Sequence, residues 1–216
     1  VIKHVHILTA LRARLLSLLV VDTGSVVLGA TESGYTRSEG SFILDGFREG
    51  MEVVPEGFDH TIPAVITRVD DLSMDVSFAH AVSPEVAGRR LYVGLPPDRA
   101  WENTVHEPTD GRWYVEEDYI PGPSGLATGL DLDLEPAYVL RLYGIAGVGT
   151  GAISEVGDAI VGLFPAGSWF PADDGVHTVH IRLNPAPYRG QVVSETASHA
   201  LTVITVPLWV RTRNNP

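Results

Sequence analysis

The stretch Pro136–Phe164, PAYVLRLYGIAGVGTGAISEVGDAIVGLF, decides how this chain is organised. Ala137–Ile145 is apolar on both sides, with Tyr138, Leu140 and Leu142 on one and Val139, Tyr143 and Ile145 on the other. That pattern predicts a strand covered on both faces. Thr150 stands where an N-cap belongs. The helix behind it carries the stripe Ile153, Val156, Ile160, Leu163 and Phe164, and Pro165 stops it. Gly157, Ala159 and Gly162 keep parts of the helix thin enough for close backbone approach. A strand, a glycine turn and a helix make either a cofactor cradle or a structural brace, and the rest of the chain must separate the two.

Upstream, Val1–Val21 reads as an amphipathic helix with Leu8, Leu11, Leu15 and Leu19 on one stripe and Arg12 and Arg14 off it. A signal peptide is the competing reading, but the apolar run is short and Asp22 follows at once. From Thr23 to Leu95 the chain turns to short strands between Gly, Pro, Asp and Ser: Val26–Leu28, Glu52–Val54, Ile62–Val69, Met74–Phe78 and Leu91–Val93. Phe42, Phe47, Met51, Val53 and Phe58 can supply a small core there. Pro96–Pro97 is a stiff exit from this module.

Next come Arg99–Asn103 and a predicted strand over Arg112–Ile120. Pro121–Pro136, PGPSGLATGLDLDLEP, has the Gly and Pro content of a long exposed loop and is expected to be a mobile arm. Beyond the helix, His177–Leu183 alternates, with Val179, Ile181 and Leu183 inward. Gln191–Glu195 and Leu201–Val210 follow as strands, and Pro207 predicts an edge or a bulge in the last. The expected class is α+β: a mixed or antiparallel sheet with two helices packed on one face, plus an inserted small all-β domain. The boundaries that follow are 1–22 with 97–216 for the α+β core and 23–96 for the insert.

The net charge of −12 argues against a phosphate-binding surface, which needs clustered cations. It suits a surface that must stay clear of DNA. Between Trp101 and Glu135 there are nine acids and one base, Arg112, so this segment holds −8 of the total. Read blandly, that is a solvated face. With no cysteine, disulfides, thiolate nucleophiles and cysteine metal sites are excluded. No run reaches transmembrane length.

Gly147-Val-Gly149-Thr-Gly151-Ala152 follows a strand and opens a helix, and read as G-x-G-x-x-A it matches a dinucleotide fingerprint. Against that, the unit sits late in the chain, the strands after it look like a meander, and Asp173 and Asp174 lie in a turn. A helix start that needs a tight turn explains the same glycines. His4 and His6 point in different directions on a helix, and His177 and His180 face opposite sides of a strand, so neither makes a metal pair. Asp131, Asp133 and Glu135 alternate as calcium ligands can, without the central Gly and distal Glu of an EF-hand. G-x-S-x-G, Walker A and H-E-x-x-H are all absent. The chain is read as a non-enzyme with no cofactor. Trp101, Trp113, Trp169 and Trp209 lie outside the β module; an exposed Trp marks an interface and a buried one is core.

Taken in order, these pieces resemble the tail terminator (tail completion) proteins of long-tailed bacteriophages. The residues that carry the resemblance are HILTALRARLLSLL near the start, then Arg99-Ala-Trp101-Glu102-Asn103 with Pro108 and Gly111. Further on are the strand into Gly149-Thr-Gly151, the helix ending Leu163-Phe164-Pro165, and Ala186-Pro187-Tyr188 through Val206-Pro207-Leu208-Trp209. The match covers Val1–Asp22 and Pro97–Asn214. The insert departs from the short family pattern. Its Phe42-x-x-Asp45-Gly46-Phe47-x-x-Gly50-Met51-x-Val53, Gly57-Phe58, Val65-x-x-x-Val69 and Leu72-x-Met74 resemble a small β module of phage tail and neck proteins.

The resemblance implies a homohexameric ring on the head-proximal end of the tail tube. The ring ends tube polymerisation and offers a surface to the head-completion (stopper) protein while DNA passes through its lumen. It implies a place in the virion, reached from the host cytoplasm during assembly, with no membrane partner. Interface candidates are Trp101, Glu102, Asn103, Gly149, Gly151, Asp131, Asp133 and Glu135; lumen-acid candidates are Glu116, Glu117 and Asp118. Another neck or tail-tube component is the nearest alternative, and a nucleotide-dependent enzyme using the Gly147–Ala152 turn the distant one.

Overall fold

A computed structural model describes residues 4–213 apart from Ser25, 79–81, Pro97, Asn103, 105–108, Asp110, 127–130, 176–177, Asn184 and Glu195. The class is α+β, mostly strand with three helices among the described residues.

The first helix, α1 (His4–Leu15), buries Ile7, Leu8, Leu11 and Leu15. It stops six residues short of the expected Val21. Ser17 N–H bonds to Arg14 O and Leu18 N–H to Leu15 O, the three-residue closures that tighten a helix end. The β-branched Val20 and Val21 then enter β1 (Leu19–Asp22), so Leu19, which a continuing stripe would have buried, is exposed.

Next are β2 (Val26–Ala30), β3 (Gly34–Arg37), the one-turn α2 (Phe42–Asp45), β4 (Glu52–Glu56), β5 (Ala64–Val69), β6 (Ser73–Val76) and β7 (Ser83–Gly94). Strand order is β1-β7-β2-β3-β6-β5-β4, and β4 returns to pair with β7. Six of these strands therefore close into a small barrel, which leaves them no free edge. The long β7 makes closure possible: residues 83–89 pair with β2, and 90–92 pair with β4. Phe42, Phe47, Met51, Val53 and Phe58 all lie in its core.

The second sheet contains β8 (Asp98–Ala100), β9 (Tyr114–Ile120), β10 (Ser124–Leu126), β11 (Asp131–Leu134) and β12 (Ala137–Ile145). After α3 (Gly151–Gly162) it adds β13 (Trp169–Asp173), β14 (Thr178–Leu183), β15 (Tyr188–Arg189), β16 (Val193–Ser194) and β17 (His199–Arg213). Its main order is β10-β11-β17-β12-β9-β8; β8 and β9 run parallel and the other pairs antiparallel. The spine is β17. One edge pairs with β12 and then β11, the other with β16, β15 and β14. On α3, Ile153, Val156 and Ile160 are buried, as is Phe164 just beyond it.

Three expectations change here. The segment 121–136 is not a bare loop: β10 and β11 form a hairpin on β17. The Asp-Leu-Asp-Leu run read as loop carboxylates has the period of a strand. Thr150 makes no side-chain cap on α3. Pro207 sits in a central strand. Leu208 N–H points to Pro136 O, so the proline nitrogen faces the other edge, where β17 changes partner from β15 at Thr205 to β14 at Leu208. No ladder bond is lost there.

Candidate functional site

Register assigns each strand residue of the second sheet to a face. On the first face, Tyr138, Leu140 and Leu142 pair with Val206, Ile204 and Thr202 on β17 and with Tyr119, Glu117 and Val115 on β9. On the second, Val139, Arg141 and Tyr143 pair with Thr205, Val203 and Leu201, and with Asp118, Glu116 and Tyr114. Side-chain alternation therefore sends Glu116 and Asp118 one way and Glu117 the other.

Glu116 and Asp118 sit on a polar patch of the second face. The Tyr143 hydroxyl donates to Glu116 at 3.1 Å, and Arg141 forms an ion pair with Asp118. Tyr114 and Tyr143 stack with centroids 4.1 Å apart. Desolvation, reinforced by Glu116, pushes the Tyr143 hydroxyl well above the usual tyrosine range.

Glu117 is a correction. Its side chain is fully buried, so it lines no open surface. Oε1 accepts from Arg12 Nε at 2.7 Å, from Arg12 Nη2, and from the Glu102 backbone N–H at 2.9 Å. Oε2 accepts from the Tyr138 hydroxyl at 2.8 Å. The hydrogen bond to Glu117 holds the Arg12 guanidinium above its ordinary value. Burial, with Glu117 adding to it, pushes the Tyr138 hydroxyl far up, so it stays a donor. One carboxylate thus ties together α1, the Trp101–Glu102 turn, β9 and β12. Trp101 belongs to this joint: it is half-buried, with the Arg12 guanidinium 5.1 Å from its ring centroid. Glu102 lies 4.0 Å from His4 Nε2. Asn103 lies outside the described residues.

On the hairpin, Asp133 pairs with Arg211, which holds its carboxyl below the usual range, and Glu135 is exposed. Asp131 stands level with Arg213. Gly149 (φ +82°) and Gly151 are exposed at the start of α3. At Gly157 an added Cβ would lie 2.5 Å from Arg189 Cδ, so this thin point of α3 receives β15; an added Cβ at Gly162 would meet nothing within 4 Å. Of the tryptophans, Trp113 is buried core and Trp169 is 63% exposed.

Sequence reasoning missed the contact between barrel and sheet. Trp113 Nε1 donates to Gly50 O at 2.8 Å, and Arg112 Nε to Glu52 Oε1 at 2.5 Å. Arg48 pairs with Glu155 on α3. Gly50 (φ +85°) is required twice over, since a Cβ there would lie 2.5 Å from Val148 Cγ2. Buried His199 holds the Arg112 carbonyl at 3.0 Å. Beside this contact is an open cleft of about 450 Å³, walled by Val65, Ile66, Ile145, Gly147 and Val148. Glu52 is buried, and Oε2 has no hydrogen-bond partner among the described residues. Burial raises its carboxyl above the ordinary range, Arg112 opposes that rise, and Asp98 adds to it. Among the described residues, no three His, Asp or Glu side chains are grouped to hold a metal ion.

No family model matches the chain. No curated protein matches it either. One solved structure is similar over 54% of this chain and 79% of its own, at 21% identity and a TM-score of 0.42, a likeness too distant to carry an argument.

Proposed function

We propose that this chain is a structural protein of the phage virion, of the tail-terminator kind, and not an enzyme. Its copies form a ring, a hexamer by the resemblance, on the head-proximal end of the tail tube. The ring ends tube polymerisation and joins the tail to the head-completion protein, with DNA passing through the lumen.

The observation that carries this reading is the Glu117 joint. The resemblance rests on two stretches far apart in sequence, and Arg12 of one donates to Glu117 of the other, which also accepts from the Glu102 N–H. The reading takes two helices to pack on one face of a mixed sheet. Arg12 against Glu117 and Ile153 against Gly144, which share the first sheet face, support that. It treats residues 23–96 as an inserted module. Glu116 and Asp118, on the opposite face, are the carboxylates it assigns to the lumen, where they repel phosphate and let DNA slide.

Mass measurement of the purified chain, alone and on isolated tail tubes, tests the reading. The expected result is one ring per tube end. A chain that stays monomeric and never caps tubes sinks it. Tail length separates a terminator, whose loss gives overlong or headless tails, from a tube component, whose loss gives none.

A further inference from the structure

The second sheet face continues across β13, β14, β17 and the hairpin. Trp169 stands opposite Arg182, and Arg182 opposite Trp209. Leu134 pairs with Val210 and Ala137 with Pro207, so counting through the residues between them places Glu135 level with Trp209. Carrying the alternation of β11 one residue past its end turns Glu135 to the side of Asp133, whose partner Arg211 lies over the Trp209 ring at 4.9 Å. One row across three strands and the link between β11 and β12 therefore reads Trp169, Arg182, Trp209, Glu135.

Two features of this row are unusual. Arg182 and Glu135 are both exposed, and neither makes an ion pair among the described residues, although Arg141, Arg189 and Arg211 nearby all do. Trp209 is half-buried, and apolar side chains around it are open to solvent. Trp169 is 63% exposed, Tyr188, level with Thr205, is 59% exposed, and Val193, level with Leu201, is 49% exposed. Exposed rings and aliphatics gathered on one sheet face mark a contact surface.

The order of charges identifies the occupant. Arg182 and Glu135 lie two strand spacings apart, about 10 Å, with Trp209 between them. A two-fold axis through Trp209 reverses the row, so a second copy presents Glu135 to Arg182, Arg182 to Glu135, and Trp209 to Trp209. A patch complementary to its own rotated image is what a two-fold contact requires. An unrelated acidic partner would satisfy Arg182 but leave Glu135 facing like charge. We propose that this face pairs two copies of the chain through reciprocal Arg182–Glu135 contacts around Trp209. The contact goes beyond the ring reading: it belongs to the free chain, and because it covers part of the face which that reading turns to the lumen, the pair must separate before a ring can form.

Sedimentation equilibrium on the whole chain tests it. The wild type is expected to form dimers, and Arg182→Glu, which sets two like-charge pairs in each dimer, to weaken them by about tenfold or more. The double variant Arg182→Glu with Glu135→Arg is expected to restore association to within about threefold of the wild type. Both positions are exposed, so unchanged thermal unfolding separates loss of pairing from loss of fold. A wild type that stays monomeric at about 200 µM, well above the Kd of ordinary specific contacts, overturns the proposal. So does association that Arg182→Glu leaves unchanged, or that the double variant fails to restore.

Discussion

Two of the arginine–carboxylate pairs join segments far apart in sequence around a buried carboxylate, and they are built differently. Glu117 and Glu52 have almost equally buried side chains, at 0% and 4% exposure. Glu117 takes four donors, which use both oxygens. Glu52 takes one, from Arg112, and its second oxygen has no partner among the described residues. A buried carboxylate replaces its lost hydration only through such donors. The Glu117 pair is therefore a fixed joint inside the second sheet. The Glu52 pair, between barrel and sheet, holds its charge under strain, and burial outweighs Arg112 in setting its proton affinity.

The largest expected effect comes from breaking the joint. Glu117→Ala leaves Arg12, the Glu102 N–H and the Tyr138 hydroxyl without their common acceptor, and should cost about 3 kcal/mol, the lower part of the range for a broken buried pair because Arg12 is partly exposed. Urea unfolding at neutral pH measures it. A loss below about 1 kcal/mol would put the pair in the surface class and erase the contrast.

Arg112→Met comes next and attacks the other pair. It removes the influence that holds the Glu52 carboxyl down, so that carboxyl rises further. At neutral pH the variant should lose about 2 kcal/mol, because an ionised group is then buried without its counter-charge. Acidification should return part of the loss, since a protonated Glu52 needs no counter-charge. A deficit that stays constant from pH 7 to pH 5 would show that Arg112 acts through packing alone.

The same contrast marks how far the sequence could be read. The period-two runs of β12, β14 and β17 and the stripe of α3 identify themselves, because each element faces a core along its whole length. The phase of Glu117 was legible too: it shares its face with Val115 and Tyr119, where an acid is out of place. Summing charge over residues 101–135 hid that, since a total ignores which way each side chain points. In Asp131-Leu-Asp-Leu134 the carboxylates drew attention away from the alternating leucines. Trp113 and Trp169 cannot be told apart by composition, because their burial depends on the Gly50 turn and on a hairpin's free face. Glu52, on β4, and Arg112, in the turn before β9, lie 60 residues apart, and no local pattern brings them together.

The smallest and most discriminating effect is on Glu52 itself. Its folded carboxyl lies above the ordinary value of 4.5. As pH rises from that ordinary value through the folded one, the folded state keeps a proton that the unfolded state has already released, so this group's contribution to stability falls across that window. Glu52→Gln has no such window. The stability of Glu52→Gln relative to wild type should therefore climb as pH goes from 4 to 8, by on the order of 1 kcal/mol, the usual scale of an unsatisfied buried acceptor. The corresponding change at the joint, Glu117→Gln, should be destabilising, because donors fill both carboxylate oxygens there and an amide NH2 can accept from none of them. If Glu117→Gln costs no more stability at pH 8 than Glu52→Gln does, the two carboxylates are held alike, and the distinction between joint and strained contact fails.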